Sequence, residues 1–150
     1  MVPKLTLNSD FKEFIESLNA NGVEYLVVGG HAVALHGYPR FTKDLDIWLK
    51  RDRANAERVV QAIADFGFSS LGLTPEDFLT PDQFIQMGYP PLRIDLATDL
   101  SGIRFDECYP SRVEADIEGV PVHFIDVENL KKNKRASGRL QDKADIERLK

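Results

Sequence analysis

The sequence predicts an α+β domain, a mixed sheet with helices packed against it, and three stretches carry the prediction. Residues 10–20, DFKEFIESLNA, place Phe11, Phe14, Ile15 and Leu18 at i, i+3, i+4 and i+7, an amphipathic helix. Residues 44–49, DLDIWL, alternate polar and apolar side chains, as a half-buried strand does. Residues 113–118 and 120–125 are two strand-like runs joined across Glu118-Gly119, which reads as a hairpin. Helices and strands mixed without strict βαβ alternation point to α+β rather than to a parallel doubly wound sheet.

Taken in order, the first helix has Asn8, Ser9 or Asp10 as its N-cap, and Asn21-Gly22 ends it. Tyr25–Val28 is a short apolar run that suits a buried strand. Gly29-Gly30 stops it, and a turn without side chains lets a ligand approach the backbone closely. Residues 31–36 have room for one and a half helical turns, with Gly37 placed to end them. A loop leads into the strand at 44–49. Residues 52–66 form a further helix with Ala56, Val59, Val60, Ile63 and Ala64 on its inner side. Residues 69–91 are the least regular. Thr74-Pro75-Glu76 and Thr80-Pro81-Asp82 each read as a helix start, with Thr as N-cap and Pro at N1, and residues 83–87 suit a short strand. Residues 92–98, LRIDLAT, alternate again. Asp126 caps a short helix reaching Asn129 and Leu130. Residues 140–150 place Leu140, Ala144, Ile146 and Leu149 near helical spacing.

The 150 residues make one domain, 1–150, with 126–150 as a C-terminal helical segment. Hydrophobic content of 43% and charged content of 29% are ordinary for a globular chain, so no disordered or fibrous class applies. Cys108 is the only cysteine, which rules out an internal disulfide, fits a reducing cytoplasm and leaves a small apolar filler. No apolar run approaches the ~20 residues that span a bilayer, so no membrane partner is expected. The net charge of −5 argues against general nucleic-acid affinity, which rests on Lys and Arg at phosphates. Charge is uneven, however: residues 131–139, KKNKRASGR, hold five basic side chains and no acid, a basic lip. One cysteine and three scattered histidines lack the spacing of a zinc site.

Within the strand at 44–49, residues two apart share a face, with Cα atoms roughly 6.6 Å apart. Asp44 and Asp46 therefore point the same way and can meet a hard cation. The competing reading makes Gly29-Gly30 an ordinary turn and Asp44 a strand cap. Asp46, between Leu45 and Ile47, resists it.

Apolar–Gly–Gly, thirteen residues, then Asp-Leu-Asp-Ile resembles the signature of the polymerase-β-like nucleotidyltransferase superfamily, at Gly29, Gly30, Asp44 and Asp46. HGYPRFTKDLDI is similar to the minimal nucleotidyltransferases related to AbiEii-type toxins, and GYPPLRIDLAT and NKRASGRLQDKADIERL extend that likeness over most of the chain. The resemblance implies a nucleotidyltransferase-like fold. It also implies a magnesium-dependent enzyme that moves a nucleoside monophosphate from an NTP to an acceptor hydroxyl on RNA, such as a tRNA end, or on a protein. A toxin–antitoxin pair with a cognate antitoxin follows from the same resemblance. Such transfer needs the triphosphate held, its charge offset and the acceptor oxygen made nucleophilic. Backbone N–H groups at Gly29-Gly30 would serve the phosphates. Asp44 and Asp46 would hold magnesium, or manganese in its place, in a two-ion site. Asp95, isolated between Ile94 and Leu96, is the third catalytic and metal-binding carboxylate, unless Arg93 on the same strand face is simply its ion-pair partner. His31 beside the glycines would donate to a phosphate, while His36 reads as a satisfied, partly buried residue. Arg40 and Thr42 match the family loop, Arg40 as a phosphate fork or a surface residue. Lys134 and Asp142 match the lysine and acid that help form the nucleotide site, or else are a solvated charge and a helix cap. A catalytically silent nucleotide- or partner-binding module is the alternative. An antibiotic-modifying enzyme ranks low, because it would need a substrate domain for which 150 residues leave little room.

Overall fold

The computed structural model describes residues 7–37, 42–89 and 92–149. Helix α1 (Ser9–Ala20) is capped by the Asn8 side chain, which accepts from the Asp10 N–H. Strand β1 (Tyr25–Val28) is fully buried and runs straight into helix α2 (Gly29–Leu35). Strand β2 (Asp44–Leu49) leads to helix α3 (Arg53–Asp65), with Asp52 as N-cap. A 3₁₀ turn at Pro75–Phe78 has Thr74 and Asp77 closing a reciprocal capping box. Strands β3 (Phe84–Tyr89) and β4 (Leu92–Ala97) follow, then the short helix α4 (Phe105–Cys108). Strands β5 (Val113–Ile117) and β6 (Val120–Phe124) form the expected hairpin, and both Glu118 and Gly119 take positive φ, as a two-residue turn of that hand requires. Helices α5 (Val127–Ser137) and α6 (Leu140–Arg148) close the chain.

The strands make one six-stranded mixed sheet in the order β3-β4-β2-β1-β6-β5. Strand β1 is antiparallel to β2, and β2 is parallel to β4. Chain-distant strands β2 and β4 are thereby laid side by side at the sheet's centre. The core is continuous: Phe14, Ile15 and Leu18 of α1, Leu45 and Ile47 of β2, Val59 and Ile63 of α3 and Phe124 of β6 are all buried. Trp48 is buried under the edge of Phe105, 5.2 Å between ring centres. Cys108 is buried and burial pushes its thiol up to about 11, in keeping with an inert filler.

Three expectations need correction. Thr80-Pro81-Asp82 starts no helix; it is a turn with Asp82 at positive φ, its N–H donating to Asp99, and it feeds directly into β3. Helix α5 runs on to Ser137, past the short helix expected to reach Leu130, so the basic run lies largely on it. On α6 the buried positions include Asp142 and Asp145, while Leu140 is 86% exposed. The apolar spacing misjudged that face because a lysine from α5 offsets the two buried acids.

Candidate active site

The register places the acids. Asp46 lies directly beside Asp95 across β2 and β4, and Asp44 beside Arg93. Partners in register share a face, so Asp44, Asp46 and Asp95 line one side of the sheet. Asp95 is 5% exposed, and its Oδ1 has no hydrogen-bond partner. A buried orphan carboxylate oxygen is costly, and it marks a place where a ligand would be welcome. Burial, then the neighbouring Asp95, then Asp44 push the Asp46 carboxyl up to about 7. Burial and the Asp44 charge also raise Asp95. Like charges this close favour a shared proton, which a metal ion would replace.

Arg93 does not pair with Asp95 in the way its spacing suggested. Its Nη2 sits 3.4 Å from Asp44 Oδ2, at the rim. Asp44 is thereby engaged, and among the described residues no three His, Cys, Asp or Glu side chains close into a ready-made metal cage. The donor set nonetheless fits magnesium in chemical kind. Asp46 and Asp95 present hard oxygen ligands side by side, and magnesium ordinarily completes its shell with water and substrate phosphates. Gly29 adds a second indication of fit. Its φ is +65°, and a Cβ there would sit 2.9 Å from Asp46 Cγ and closer still to Oδ2. Only glycine leaves the Asp46 carboxylate its place.

The acids open into a cavity of about 450 Å³, a size that takes a small-molecule ligand. Gly29 and Ile47 line it on the sheet side, and Asn133, Lys134, Ser137 and Arg139 on the C-terminal side. Residues at 133–139 thus line the same cavity as the acids. Lys134 is 5% exposed, with its Nζ 3.1 Å from Asp142 and 3.0 Å from Asp145. Asp142, 1% exposed, also accepts from the Ser137 hydroxyl and from Arg139, at 2.7 Å from Nε and 3.3 Å from Nη2. Burial by itself would raise the Asp142 carboxyl, but hydrogen bonds from Arg139, Ser137 and Lys134 outweigh it and hold the group far below the usual range. Asp142 is neither a helix cap nor a lining residue. It is the buried anchor that sets Lys134 and Arg139 against the cavity. Arg139 is attracted to Asp46 across the space.

His31 is 4% exposed, its ring edge-on to Phe11 at 5.7 Å, and its Nδ1 is buried without a hydrogen-bond partner. It does not line the cavity, and burial lowers it to about 4. Gly30 is buried beside it. His36 bonds the Ile125 carbonyl at 2.7 Å, the satisfied role expected. The Thr42 hydroxyl donates to the Asp44 carbonyl at 3.2 Å and trims the entry to β2. Arg40 lies outside the described residues. Of the basic run, Lys134 is enclosed and Lys131 pairs with Glu128 at 3.9 Å, so the lip is thinner than expected; Lys132, Arg135 and Arg139 are its exposed members. The sequence reading did not single out Arg139, Ser137, Asn133 or Phe84 for the site. Arg139 stands three residues before Asp142, an ion-pair spacing that could have drawn it in.

Solved structures share this fold. A Thermotoga maritima protein classed as a nucleotidyltransferase (TM1012) aligns with a TM-score of 0.61 at 11% identity, over 92% of this chain and 88% of that one. An antigenic nucleotidyltransferase-like protein of Paracoccidioides brasiliensis gives 0.52 at 18% identity, over 97% and 76%. The lincosamide antibiotic adenylyltransferase LnuA, solved with lincomycin, gives 0.54 at 15% identity, over 96% of both chains. An adenylyltransferase for an antibiotic is therefore built at this length, and chain length gives no ground for setting such an acceptor aside. No curated protein matches in sequence. The family model described as "Nucleotidyl transferase of unknown function (DUF2204)" matches residues 7–150. That match spans nearly the whole chain, and the protein belongs to this nucleotidyl transferase family.

Proposed function

We propose that the protein is a magnesium-dependent nucleotidyltransferase that moves a nucleoside monophosphate from an NTP to an acceptor hydroxyl. The observation that carries this reading is the Asp46–Asp95 pair, side by side in parallel strands, with one buried carboxylate oxygen left unsatisfied. The acceptor oxygen attacks the α-phosphorus, the bond to the β-phosphate oxygen breaks, and pyrophosphate leaves. Asp46, Asp95 and Asp44 are the residues that would hold magnesium. When bound, that ion would offset the charge of the phosphates and of the attacking and leaving oxygens. The chain's own groups do the rest. Backbone N–H groups at Gly29-Gly30, which take no side-chain cap from Val28, would donate to phosphate oxygens. Arg139, held by Asp142, presents a fixed cation across from the acids. Asp95 receives or offsets the acceptor proton.

The acceptor is proposed to be an RNA end or a protein hydroxyl, as the likeness to toxin-type enzymes suggests; the same likeness supports pairing with an antitoxin. One observation favours the silent-module alternative: Asp44 is engaged by Arg93, so the three acids do not close on a point. The discriminating experiment supplies each α-labelled NTP with magnesium and either total RNA, total protein or small hydroxyl compounds. Transfer of label to an acceptor, abolished in Asp46→Asn, supports the enzyme. Binding of NTP–magnesium without transfer to any acceptor supports the module.

A further inference from the structure

Among the described residues the exposed large apolar side chains are Leu71, Phe84, Val113 and Leu140, and of these Phe84 alone lines the cavity that holds the acids. It is 58% exposed and opens the edge strand β3. Edge strands ordinarily carry charge at exposed positions, because an exposed apolar edge invites aggregation. A bare aromatic ring in a ligand cavity calls for a partner. The register fixes where the ring stands. Phe84 pairs with Ala97, and Gln86 with Asp95, so the Phe84 ring shares the face of the acids, one strand over and two residues further along β4. Sheet spacings put it roughly 8 Å from Asp95 in backbone distance. The cavity is therefore two-ended. Carboxylates and Arg139 occupy one end, where charge is handled. Phe84, paired in register with Ala97, is the exposed aromatic surface toward the other end, where Asp99 also lines the cavity but is engaged by the Asp82 N–H and Arg51.

We infer that Phe84 is the stacking platform for the nucleobase of the bound NTP, an assignment that rests on the nucleotide-binding reading of this cavity. A triphosphate at the charged end leaves its base, joined through one ribose, to reach Phe84. An aromatic face accepts any base, because every base has a π-face. Phe84 therefore strengthens binding of all four NTPs and selects little among them.

The test measures calorimetric binding of each NTP with magnesium, and of inorganic tripolyphosphate with magnesium, to wild type, Phe84→Leu, Phe84→Ala and Phe84→Trp. The expected result is NTP binding weakened about 5- to 150-fold in Phe84→Ala. Phe84→Leu, which keeps apolar bulk without a ring, should weaken it too, Phe84→Trp should restore it, and tripolyphosphate binding should be unchanged throughout. Unchanged NTP affinity in Phe84→Leu and Phe84→Ala overturns the assignment, and a raised acceptor KM in the same variants then moves the ring to the acceptor. Equal losses for NTP and tripolyphosphate overturn it as well, since the effect is then structural. Wild type that binds neither compound instead defeats the nucleotide reading beneath it, which separates the two failures.

Discussion

Two titratable residues, half-buried Asp46 at the cavity and buried His31 on α2, pull stability in opposite directions with pH. Asp46 is raised to about 7 by burial, Asp95 and Asp44. A carboxyl with a raised folded value contributes stability below about pH 4 that is lost as pH rises through 7. His31 is lowered to about 4 by burial. Its contribution is present above about pH 6.5 and is lost as pH falls toward 4. The two slopes overlap between about pH 4 and 7 and offset each other in the metal-free protein. Asp46→Asn should remove one slope, so that the variant is more stable than wild type at pH 8 and loses on the order of 2 kcal/mol between pH 6.5 and 4.5. Denaturant melts across that range check it; a variant as flat in pH as the wild type would refute the compensation. Gly29→Ala is the sharpest steric probe. It adds a Cβ against the Asp46 carboxylate at a φ of +65°, and should cost about 1–3 kcal/mol and displace the acid. A chemical-denaturation midpoint equal to wild type would show that the backbone relaxes instead.

The α5–α6 pair is an ionic element more than an apolar one. Lys134, Arg139, Asp142 and Asp145 balance in charge, and three of them are buried. Lys134→Met leaves two buried acids short of a cation and should cost about 3–5 kcal/mol, with loss of hydrogen-exchange protection centred on α6. Protection retained in α6 would mean that apolar contacts such as Leu149 hold it. This element also shows where sequence reading fails. Strand β2 was legible because alternation of Asp44, Asp46 and Trp48 with Leu45, Ile47 and Leu49 survives folding: its apolar side is in the core. The α6 spacing misled because the rule that apolar positions point inward has no term for acids neutralised from another helix. Asp95 was legible as an odd buried charge and as the third acid, yet its register opposite Asp46 was not, since pairing of β2 with β4 is a long-range fact. Phe84 looked like one more strand residue until the strand order made it an edge.

Across the whole molecule, the sheet order converts two separate sequence features into one site. The Gly29-Gly30 start of α2, a helical turn where a separate turn was expected, and the Asp44/Asp46 strand are neighbours in the chain, but Asp95 arrives only through the parallel β2–β4 contact, and the cations only through α5 and the residues before α6. Ligand binding should therefore stabilise the fold globally. NTP with magnesium at 100 times its Kd should add about 2.7 kcal/mol, and Asp44→Ala with Asp46→Ala should abolish that gain. If the exposed Lys132 and Arg135 guide an RNA acceptor, RNA affinity should fall with rising salt, with a shallower slope in Lys132→Ala plus Arg135→Ala; affinity flat in salt would favour a protein or small-molecule acceptor. No helix among the described residues is long and apolar enough to cross a membrane. The central claim is that the acids of β2 and β4 perform transfer and do not merely hold a nucleotide. Single-turnover transfer from α-labelled NTP in Asp95→Asn, alongside NTP–magnesium binding to the same variant, tests it most directly. Binding kept near wild type with transfer reduced ~10²-fold or more is the predicted outcome. Transfer at the wild-type rate by Asp95→Asn would contradict the account.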